Sequence, residues 1–320
     1  MRSAQGRSGV SRTPRSDRKA TLYRFAGSGE SPGIPGLTPL ASGRRLRPTE
    51  MSKPLKVNLF TADVARFYDT TLVPLMFDPY AKDLAARVKA LEPKDVLEVA
   101  CGTGVVTRAL ASTLPDTCTI TATDLSEAMV SYGRVVGTSR PVNWQQADVM
   151  SLPYEPESFD AVVCQFGVMF FPDRVAAYQQ VRRVLRKGGT FLFNVWTELE
   201  YNEFAEVITE ALRERYPENP IEFLARTPHG HGSVSEIERD IRAAGFETCS
   251  LEIRDDISTA ASPEHVAVAL CQGTPVRNEI ENREPGGLER VTAAAAGAIR
   301  QRYGEGRISA RISAVVASAR

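Results

Sequence analysis

A glycine turn flanked by two acidic residues is the part of this sequence best suited to chemistry. Residues 95–107 read Asp-Val-Leu-Glu-Val-Ala-Cys-Gly-Thr-Gly-Val-Val-Thr, so an apolar strand pattern leads into Gly102 and Gly104 and then into a helix pattern. Glu98 lies on the strand, and Asp124 ends the next predicted strand twenty residues after Gly104. This order of strand, glycine turn, helix and acidic strand end predicts a site for a cofactor that contains adenosine.

The charge around the turn discriminates between the two cofactors that fit this pattern. In a dinucleotide site, a third glycine lets helix and strand pack closely below the pyrophosphate, but here that position is Thr107. Glu98 would also repel a diphosphate. A cationic sulfonium cofactor carries an amino group, ribose hydroxyls and an adenine amine, and Glu98, Asp124 and Asp148 offer acceptors at successive strand ends. The pattern favours S-adenosyl-L-methionine and leaves an NAD-dependent oxidoreductase as the weaker alternative.

Alternating strand and helix patterns must position these residues. Strands are predicted at residues 94–100, 118–123, 142–147, 159–166 and 190–196, and helices at 105–113, at 126–136 with Ser126 as N-cap, and from Pro172 to a stop at Lys187-Gly188-Gly189. The fourth strand is apolar throughout and is therefore predicted to be buried on both faces. This alternation predicts a doubly wound, Rossmann-like α/β fold with right-handed crossovers.

The pattern is looser after Trp196. Helices are predicted at 201–216, 234–244, 263–272 and 276–303, a loop at 217–232, a break near Pro285-Gly286-Gly287, and strands at 246–254 and from Arg307. With these two strands the sheet has seven strands, most of them parallel, with an antiparallel terminal strand.

Charge is unevenly distributed along the 320 residues. The formal net charge is zero, but residues 1–50 carry ten Lys/Arg and three acids, which leaves a net charge of −7 on the rest. Nucleic acid is therefore an unlikely partner, because phosphate contact needs a basic surface. Residues 1–50 are rich in Arg, Ser, Gly and Pro without a hydrophobic period, which predicts disorder. A start assigned too early, with Met51 as the true first residue, and a transit peptide remain alternatives.

The cysteines indicate the compartment. There are five, none of them in a Cys-x-x-Cys pair, which is typical of reduced thiols in a cytoplasmic protein and predicts no metal site. No apolar run approaches the roughly 18–20 residues that span a bilayer, so no membrane span is predicted.

Five sequence blocks carry a resemblance to a known family. They are Val96-Leu-Glu-Val-Ala-Cys-Gly-Thr-Gly, Ala122-Thr-Asp-Leu-Ser-Glu-Ala-Met, Gln146-Ala-Asp-Val-Met-Ser-Leu-Pro-Tyr, Phe159-Asp-Ala-Val-Val-Cys-Gln-Phe-Gly-Val-Met-Phe-Phe and Val184-Leu-Arg-Lys-Gly-Gly-Thr-Phe. In these blocks the chain resembles class I S-adenosylmethionine-dependent methyltransferases, specifically the small-molecule group (type 11) similar to quinone-biosynthesis C-methyltransferases. The resemblance covers roughly residues 60–200. Ala100 stands where many members have glycine.

The resemblance implies roles for the residues of the turn. Gly102 and Gly104 would let the backbone approach the methionine and ribose moieties, next to Glu98 and Ala100. Asp124 would accept hydrogen bonds from the two ribose hydroxyls.

The resemblance also implies an adenine subsite. Leu125 and Met129 would flank the ring. Asp148 would accept from the adenine amino group, and the Val149 N–H would face a ring nitrogen.

The residues beside the transferred methyl group are less well defined. Gln165 and Phe166, at the end of the fourth strand, would lie beside the methyl donor. The catalytic residues are unknown from sequence, and His229, His231 and Tyr68 are weak candidates for a base or an acceptor contact. Tyr68 belongs to an aromatic segment that folds over the cofactor as a lid in similar enzymes.

The chain is therefore expected to have four parts. These are a disordered extension (1–50), a helical lid (51–92), a cofactor-binding core (93–197), and helices and strands that build the acceptor pocket (198–320). The expected activity is in-line methyl transfer to a small molecule, aromatic or quinone-like, without a metal. A protein that binds the cofactor without turnover is the alternative, and the oligomeric state is unknown.

Overall fold

A mixed β-sheet covered by helices on both faces forms the framework of the protein. The structure is a computed structural model and describes residues 22–26 and 62–320. In these residues the strands are β1 (Leu22–Ala26), β2 (Asp95–Val99), β3 (Thr119–Asp124), β4 (Asn143–Gln146), β5 (Phe159–Gln165), β6 (Leu185–Trp196), β7 (Thr248–Ala260) and β8 (Ile308–Ala319).

Helices connect the strands and form a separate layer after β6. In the described residues they are α1 (Ala62–Phe67), a π-helix (Tyr68–Phe77), α2 (Asp78–Lys89), α3 (Val105–Thr113), α4 (Glu127–Val136), α5 (Arg174–Val184), α6 (Glu203–Arg215), α7 (Phe223–Arg226), α8 (Val234–Ala243), α9 (Pro263–Gln272), α10 (Val276–Arg283) and α11 (Leu288–Tyr303). Pro74 lies inside the π-helix, where its missing N–H removes a donor from the regular α-helical pattern.

The strand order determines where the sheet can build a site. The order is β1-β7-β8-β6-β5-β2-β3-β4. Strands β2 to β6 pair in parallel, whereas β8 is antiparallel to both β6 and β7. The chain runs outward from β2 through β3 to β4 and then returns to β5 on the other side of β2. The carboxyl ends of β2 and β5 therefore form the switch point at which open α/β sheets bind ligands.

The core lies on both faces of the sheet, as the apolar β5 pattern predicts. Val162 and Cys164 of β5 pack in one hydrophobic cluster, and Ala161 and Val163 pack in the other. The predicted doubly wound fold with seven mostly parallel strands is confirmed, and β1 adds an eighth.

Strand β1 corrects the prediction that residues 1–50 have no regular structure. Leu22–Ala26 pairs antiparallel with β7, with Phe25 opposite Cys249. Without β1, the outer edge of β7 would leave a row of unpaired backbone groups, and an extended segment satisfies them. The remainder of residues 1–50, and residues 51–61 of the expected lid, lie outside the described residues.

Both predicted ends of the helix between β5 and β6 are wrong. The helix starts at Arg174 rather than Pro172, because the Asp173 carboxylate caps it by accepting from the N–H of Ala176 at 3.0 Å. It ends at Val184, and β6 begins directly at Leu185. The pair Gly188-Gly189 lies inside β6, where a Cβ on Gly189 would lie 3.1 Å from the backbone oxygen of Asp160 on the paired strand.

Most other elements agree with the sequence to within two residues, but β7 ends at Ala260 rather than at Arg254. The Ser126 hydroxyl accepts from the N–H of Met129 and caps α4, as predicted. The predicted break near residues 285–287 separates α10 from α11. The predicted loop 217–232 contains the short helix α7, which sequence reasoning missed.

Candidate functional site

The turn after β2 has a backbone that few residue types accept. Ala100, Gly102 and Gly104 have φ angles of 54°, 54° and 87°, in the left-handed region. Gly104 is the residue before the first turn of α3. A Cβ on Gly102 would meet no atom within 4 Å, so its backbone faces open space at the switch point. Such a turn exposes backbone groups to a ligand at close range.

Asp124 fixes this turn from the neighbouring strand. Its Oδ2 accepts a hydrogen bond from the N–H of Gly102 at 2.8 Å, and its Oδ1 accepts one from the N–H of Ser126 at 2.8 Å. Burial raises the pKa of Asp124, and the two backbone N–H groups oppose that rise. The predicted acid at the end of the second strand of the core thus lies at the glycine turn.

Glu98 lies below the turn and is 1% exposed. The Thr107 hydroxyl donates to its Oε2 at 2.6 Å. Burial raises the pKa of Glu98 to about 8, although the Thr107 hydrogen bond lowers it. In a dinucleotide site, the position of Thr107 is a glycine, which permits close packing below the pyrophosphate. Here Thr107 instead carries a hydroxyl that is bound to a buried acid.

Trp144 on β4 packs against the turn and was missed in the sequence. A Cβ on Gly104 would lie 2.5 Å from Cη2 of Trp144, and a Cβ on Gly133 of α4 would lie 2.7 Å from its Cζ3. A glycine is therefore required at position 104 because of the positive φ and because a Cβ would overlap with Trp144. The detectable signal was Gly133, because a glycine inside a helix pattern often has a packing reason.

Residues 62–77, the part of the predicted lid that precedes α2 in the described structure, contact the turn, and we call this segment the lid. The Asp69 carboxylate accepts from the Thr103 hydroxyl at 2.7 Å and from Nη2 of Arg108 at 2.8 Å. Arg108 also donates to the backbone oxygen of Thr103 at 2.7 Å. Sequence reasoning did not single out these three residues, since they are 34 and 39 positions apart along the chain.

The lid and the turn enclose a small cavity, which we call the donor cavity. Its volume is about 30 Å³, about one water molecule's share of liquid volume. Of the residues predicted for the site it brings together Tyr68, Glu98, Ala100, Gly102 and Gln165, and the rest of its wall is formed by Phe77, Cys101, Thr103, Val105 and Val106. Burial raises the pKa of the Tyr68 phenol, and Asp124 and Asp69 add to the rise.

The other predicted site residues lie outside the wall of the donor cavity. Leu125 follows β3 and is 50% exposed. Met129 is buried in α4. Asp148 accepts from the N–H of Met150 and caps a short 3₁₀ turn that begins at Val149.

An aromatic cluster lies at the ends of β5 and β6, next to the lid. The rings of Phe166 and Trp196 stack at 3.8 Å between centroids and 7° between planes. Tyr80 meets both rings edge-on, with its hydroxyl donating to the backbone oxygen of Arg254 at 3.1 Å. Phe77 is 5.5 Å from Phe166 and 6.0 Å from Trp196, so it belongs to this cluster and to the donor cavity.

The backbone of Phe166 is strained. Its φ is 48°, which is an outlier for a bulky residue. Both the backbone oxygen and Oδ1 of Asn194 accept from its N–H, at 3.1 and 3.0 Å. The Asn194 side chain also donates to Oε1 of Gln165 at 3.4 Å. Asn194 thus holds the end of β5 in the conformation that stacks Phe166 on Trp196.

The two candidate histidines have different surroundings. His229 is buried, with Nδ1 3.0 Å from the backbone oxygen of Thr197 and its ring 6.1 Å from Trp196. His231 is also buried, and neither of its ring nitrogens has a hydrogen-bond partner among the described residues. Burial lowers the pKa of both to about 4. In the described residues, no cluster of three or more His, Cys, Asp or Glu could hold a metal ion.

Comparison with known proteins adds to this geometry. Residues 97–193 match the family described as a methyltransferase domain. This segment is thus similar to a methyltransferase domain. It contains the turn, Asp124, Asp148 and the end of β5.

Curated relatives of the methyltransferase domain include demethylmenaquinone methyltransferases. Those of Staphylococcus aureus strains MRSA252 and JH9 are 39% identical over 109 residues, which is 34% of this chain and 44% of theirs. The chain thus spans less than half the length of these relatives.

Solved structures resemble the chain over a larger part of its length. The YcgJ protein from Bacillus subtilis is 19% identical with a TM-score of 0.49, and a putative methyltransferase from Bacillus halodurans is 21% identical with a TM-score of 0.48. Each match covers 75% of this chain and 97% of the other. In the described residues, no helix is long and apolar enough to cross a membrane.

The residues at the turn fit S-adenosylmethionine, the cofactor that the sequence resemblance implies. The uncovered backbone of Gly102 leaves room for a close ligand, and the acids Glu98 and Asp124 suit a cation. The 30 Å³ of the donor cavity is too small for the whole molecule.

Proposed function

We propose that this protein transfers a methyl group from S-adenosylmethionine to a small apolar molecule, aromatic or quinone-like. The observation that carries the proposal is the position of the aromatic cluster. Phe77 lines the donor cavity and also contacts the stacked pair of Phe166 and Trp196. A flat acceptor on these rings would lie next to the donor, since offset and edge-on ring contacts favour aromatic partners.

The donor would be held by the residues already at the turn. Asp124 uses one lone pair on each carboxylate oxygen for a backbone N–H, which leaves the others for ribose hydroxyls. Glu98 would accept from the amino group of the methionine moiety. Leu125 and Met129 would flank the adenine, and Asp148 and Val149 would bind its edge.

The bound cofactor supplies a methyl group already activated by a sulfonium. The protein's part is then to align the acceptor with that group and to exclude water. The lid performs the second task, because Tyr68 and Phe77 stack at 5.5 Å over the cavity. Gln165 holds the lid by donating to the backbone oxygen of Phe77 at 3.3 Å.

A base is needed only if the acceptor must lose a proton. Of the three candidates, His229 suits this role best. Its Nδ1 faces a backbone oxygen and therefore carries the proton, so Nε2 of the neutral ring is an acceptor. Tyr68 keeps its proton at neutral pH because its pKa is raised. The ring nitrogens of His231 lie 3.9 Å from the carboxylates of Glu236 and Asp240.

The name of the Staphylococcus aureus relatives supports a quinone-like acceptor. They are demethylmenaquinone methyltransferases, and the match covers 34% of this chain. The acceptor class here rests on the aromatic cluster in addition to that match. The net negative charge of residues 51–320 disfavours nucleic acid as the acceptor.

The test has a binding arm and a turnover arm. Calorimetry with S-adenosylhomocysteine should show one site per chain, and NAD should give no heat. Incubation with S-adenosylmethionine and a panel of hydroquinones, phenols and aliphatic amines should release S-adenosylhomocysteine with the hydroquinones or phenols. Binding of NAD in place of S-adenosylhomocysteine would overturn the proposal. Binding without turnover across the panel would instead favour a cofactor-binding protein.

A further inference from the structure

A second cavity lies between the lid and the C-terminal helices. It has a volume of about 340 Å³ and is lined by Val64, Arg66, Phe67 and Thr70 of the lid and by Gln272 and Arg277 at the ends of α9 and α10. We call it the arginine groove. None of these residues lines the donor cavity, so the two are separate spaces.

The two arginines of the groove have no counterion among the residues that the structure describes. Neither Arg66 nor Arg277 forms an ion pair or side-chain hydrogen bond there. Arginines elsewhere in the chain, such as Arg87, Arg108 and Arg174, bind carboxylates at 2.7–2.9 Å. Among the described residues, no Asp or Glu lines the groove. Two guanidinium groups that face one concave space create a local positive potential.

The chain before the lid is poorly suited to fill this groove. Residues 51–61 read Met-Ser-Lys-Pro-Leu-Lys-Val-Asn-Leu-Phe-Thr, with two lysines and no acid. Residues 1–50 carry a net charge of +7. These segments would add positive charge to Arg66 and Arg277 rather than neutralise them, so an anion from outside the chain is the better complement.

We propose that the arginine groove binds a small organic anion that carries a phosphate or carboxylate group. The anionic group would lie between Arg66 and Arg277, because guanidinium groups bind such oxygens in a bidentate manner. The apolar part of the ligand would contact Val64 and Phe67. The volume of 340 Å³ falls within the range of roughly 300–1,000 Å³ typical of small-molecule sites.

Such a ligand would also hold the lid in place. Arg66 lies three residues before Asp69, which binds the glycine turn through Thr103 and Arg108, whereas Arg277 lies on α10. An anion that bridges Arg66 and Arg277 would tie the lid to the C-terminal helices. Its binding would therefore be coupled to that of a ligand in the donor cavity.

Calorimetry at low ionic strength with phenyl phosphate, benzoate and inorganic phosphate tests the site. We expect phenyl phosphate or benzoate to bind at one site per chain, and more tightly than inorganic phosphate. Arg66→Gln and Arg277→Gln should each weaken binding at least tenfold. Arg307→Gln is the matched control, because Arg307 is also exposed and forms no ion pair with the described residues, but lies outside the groove.

The outcomes are distinct. No binding of any probe, or equal weakening by all three variants, would overturn the proposal, because equal weakening indicates unspecific attraction. Arg66→Lys and Arg277→Lys keep the charge and should retain part of the affinity. Hydrogen exchange of residues 62–77 should slow when phenyl phosphate binds. These readouts do not depend on methyl transfer, so a failed activity assay leaves them interpretable.

Discussion

The Asp124 carboxylate holds the N–H of Gly102 at 2.8 Å, and this contact joins the end of β3 to the glycine turn after β2. The same carboxylate accepts from Ser126, at the start of α4. One side chain therefore fixes the turn and presents an acceptor beside it. A functional change at Asp124 will include a structural component.

Asp124→Ala should weaken the binding of S-adenosylhomocysteine. Loss of charge-assisted hydrogen bonds to the ribose should cost about 1.5–3 kcal/mol, which corresponds to about ten- to a hundredfold in Kd. Calorimetry measures this loss, and urea unfolding measures the part that comes from the freed Gly102 amide. Asp116→Asn is the control, an exposed acid in the turn before β3. Unchanged affinity in Asp124→Ala would show that Asp124 is not at the ribose.

Cofactor affinity should rise with pH below about 8. Glu98 has a pKa raised to about 8 by burial, so the free protein holds a proton there at neutral pH. A cationic ligand next to Glu98 favours the carboxylate, and binding must release that proton. The association constant should increase by about tenfold per pH unit up to this pKa.

Calorimetry in buffers of different ionisation enthalpy measures the proton release. Glu98→Gln should bind weakly at pH 8 and lose the pH dependence. If the wild-type protein and Glu98→Gln show the same pH dependence, Glu98 does not contact the cationic group.

The Asp69 contact should control the movement of the lid. Asp69 and Arg108 form an ion pair at 2.8 Å with both side chains partly buried. A double-mutant cycle with Asp69→Asn and Arg108→Gln should give a coupling energy of about 1 kcal/mol. In Asp69→Asn, residues 62–77 should exchange amide hydrogens faster. Arg87→Gln breaks the ion pairs of Arg87 with Asp83 and Glu252, away from the donor cavity, and should leave that exchange unchanged.

Acid should destabilise the fold through His229. Burial lowers its pKa from 6.5 to about 4, so the folded protein keeps it neutral while the unfolded chain becomes protonated. The stabilisation from this histidine is complete above pH 6.5 and is lost as the pH falls towards 4. Between these two pKa values, the free energy of unfolding should fall by about 1.4 kcal/mol per pH unit for each such group. Urea unfolding at pH 7 and pH 5 measures it, and His229→Gln should reduce the slope. An equal slope in the variant would place the acid sensitivity elsewhere.

Ala100→Gly should stabilise the protein or leave its stability unchanged. Ala100 has a φ of 54°, and an alanine in this region costs about 1 kcal/mol that glycine avoids. The gain is partly offset, because Ala100 packs against Gly167, whose added Cβ would lie 2.7 Å from that of Ala100. Ala109→Gly in α3 is the opposite control and should destabilise by about 1 kcal/mol. Destabilisation by both changes to the same extent would show that the φ of Ala100 is not strained.

The sequence by itself determined the sheet core and the glycine turn. Short local patterns predict strands β2 to β5, helix α3 and the positions of Glu98 and Asp124. These patterns are apolar runs, a glycine pair and the Ser126 cap. These patterns depend on residues close together in the chain, so they can be recognised without the fold. Even there, the ends of α5 were misplaced, because the cap at Asp173 and the start of β6 at Leu185 depend on competing neighbours.

Only the tertiary structure decided what surrounds the turn. The contacts around the turn join residues far apart in the chain. They are those of Asp69 with Arg108, Trp144 with Gly104, and Phe166 with Trp196. No local periodicity encodes such pairs, because they form only when the sheet order brings separate elements to one edge. The same holds for Arg66 and Arg277, which lie more than two hundred residues apart in sequence and face one groove. The sequence thus predicts features that depend on neighbouring residues, whereas contacts between distant residues require the tertiary structure.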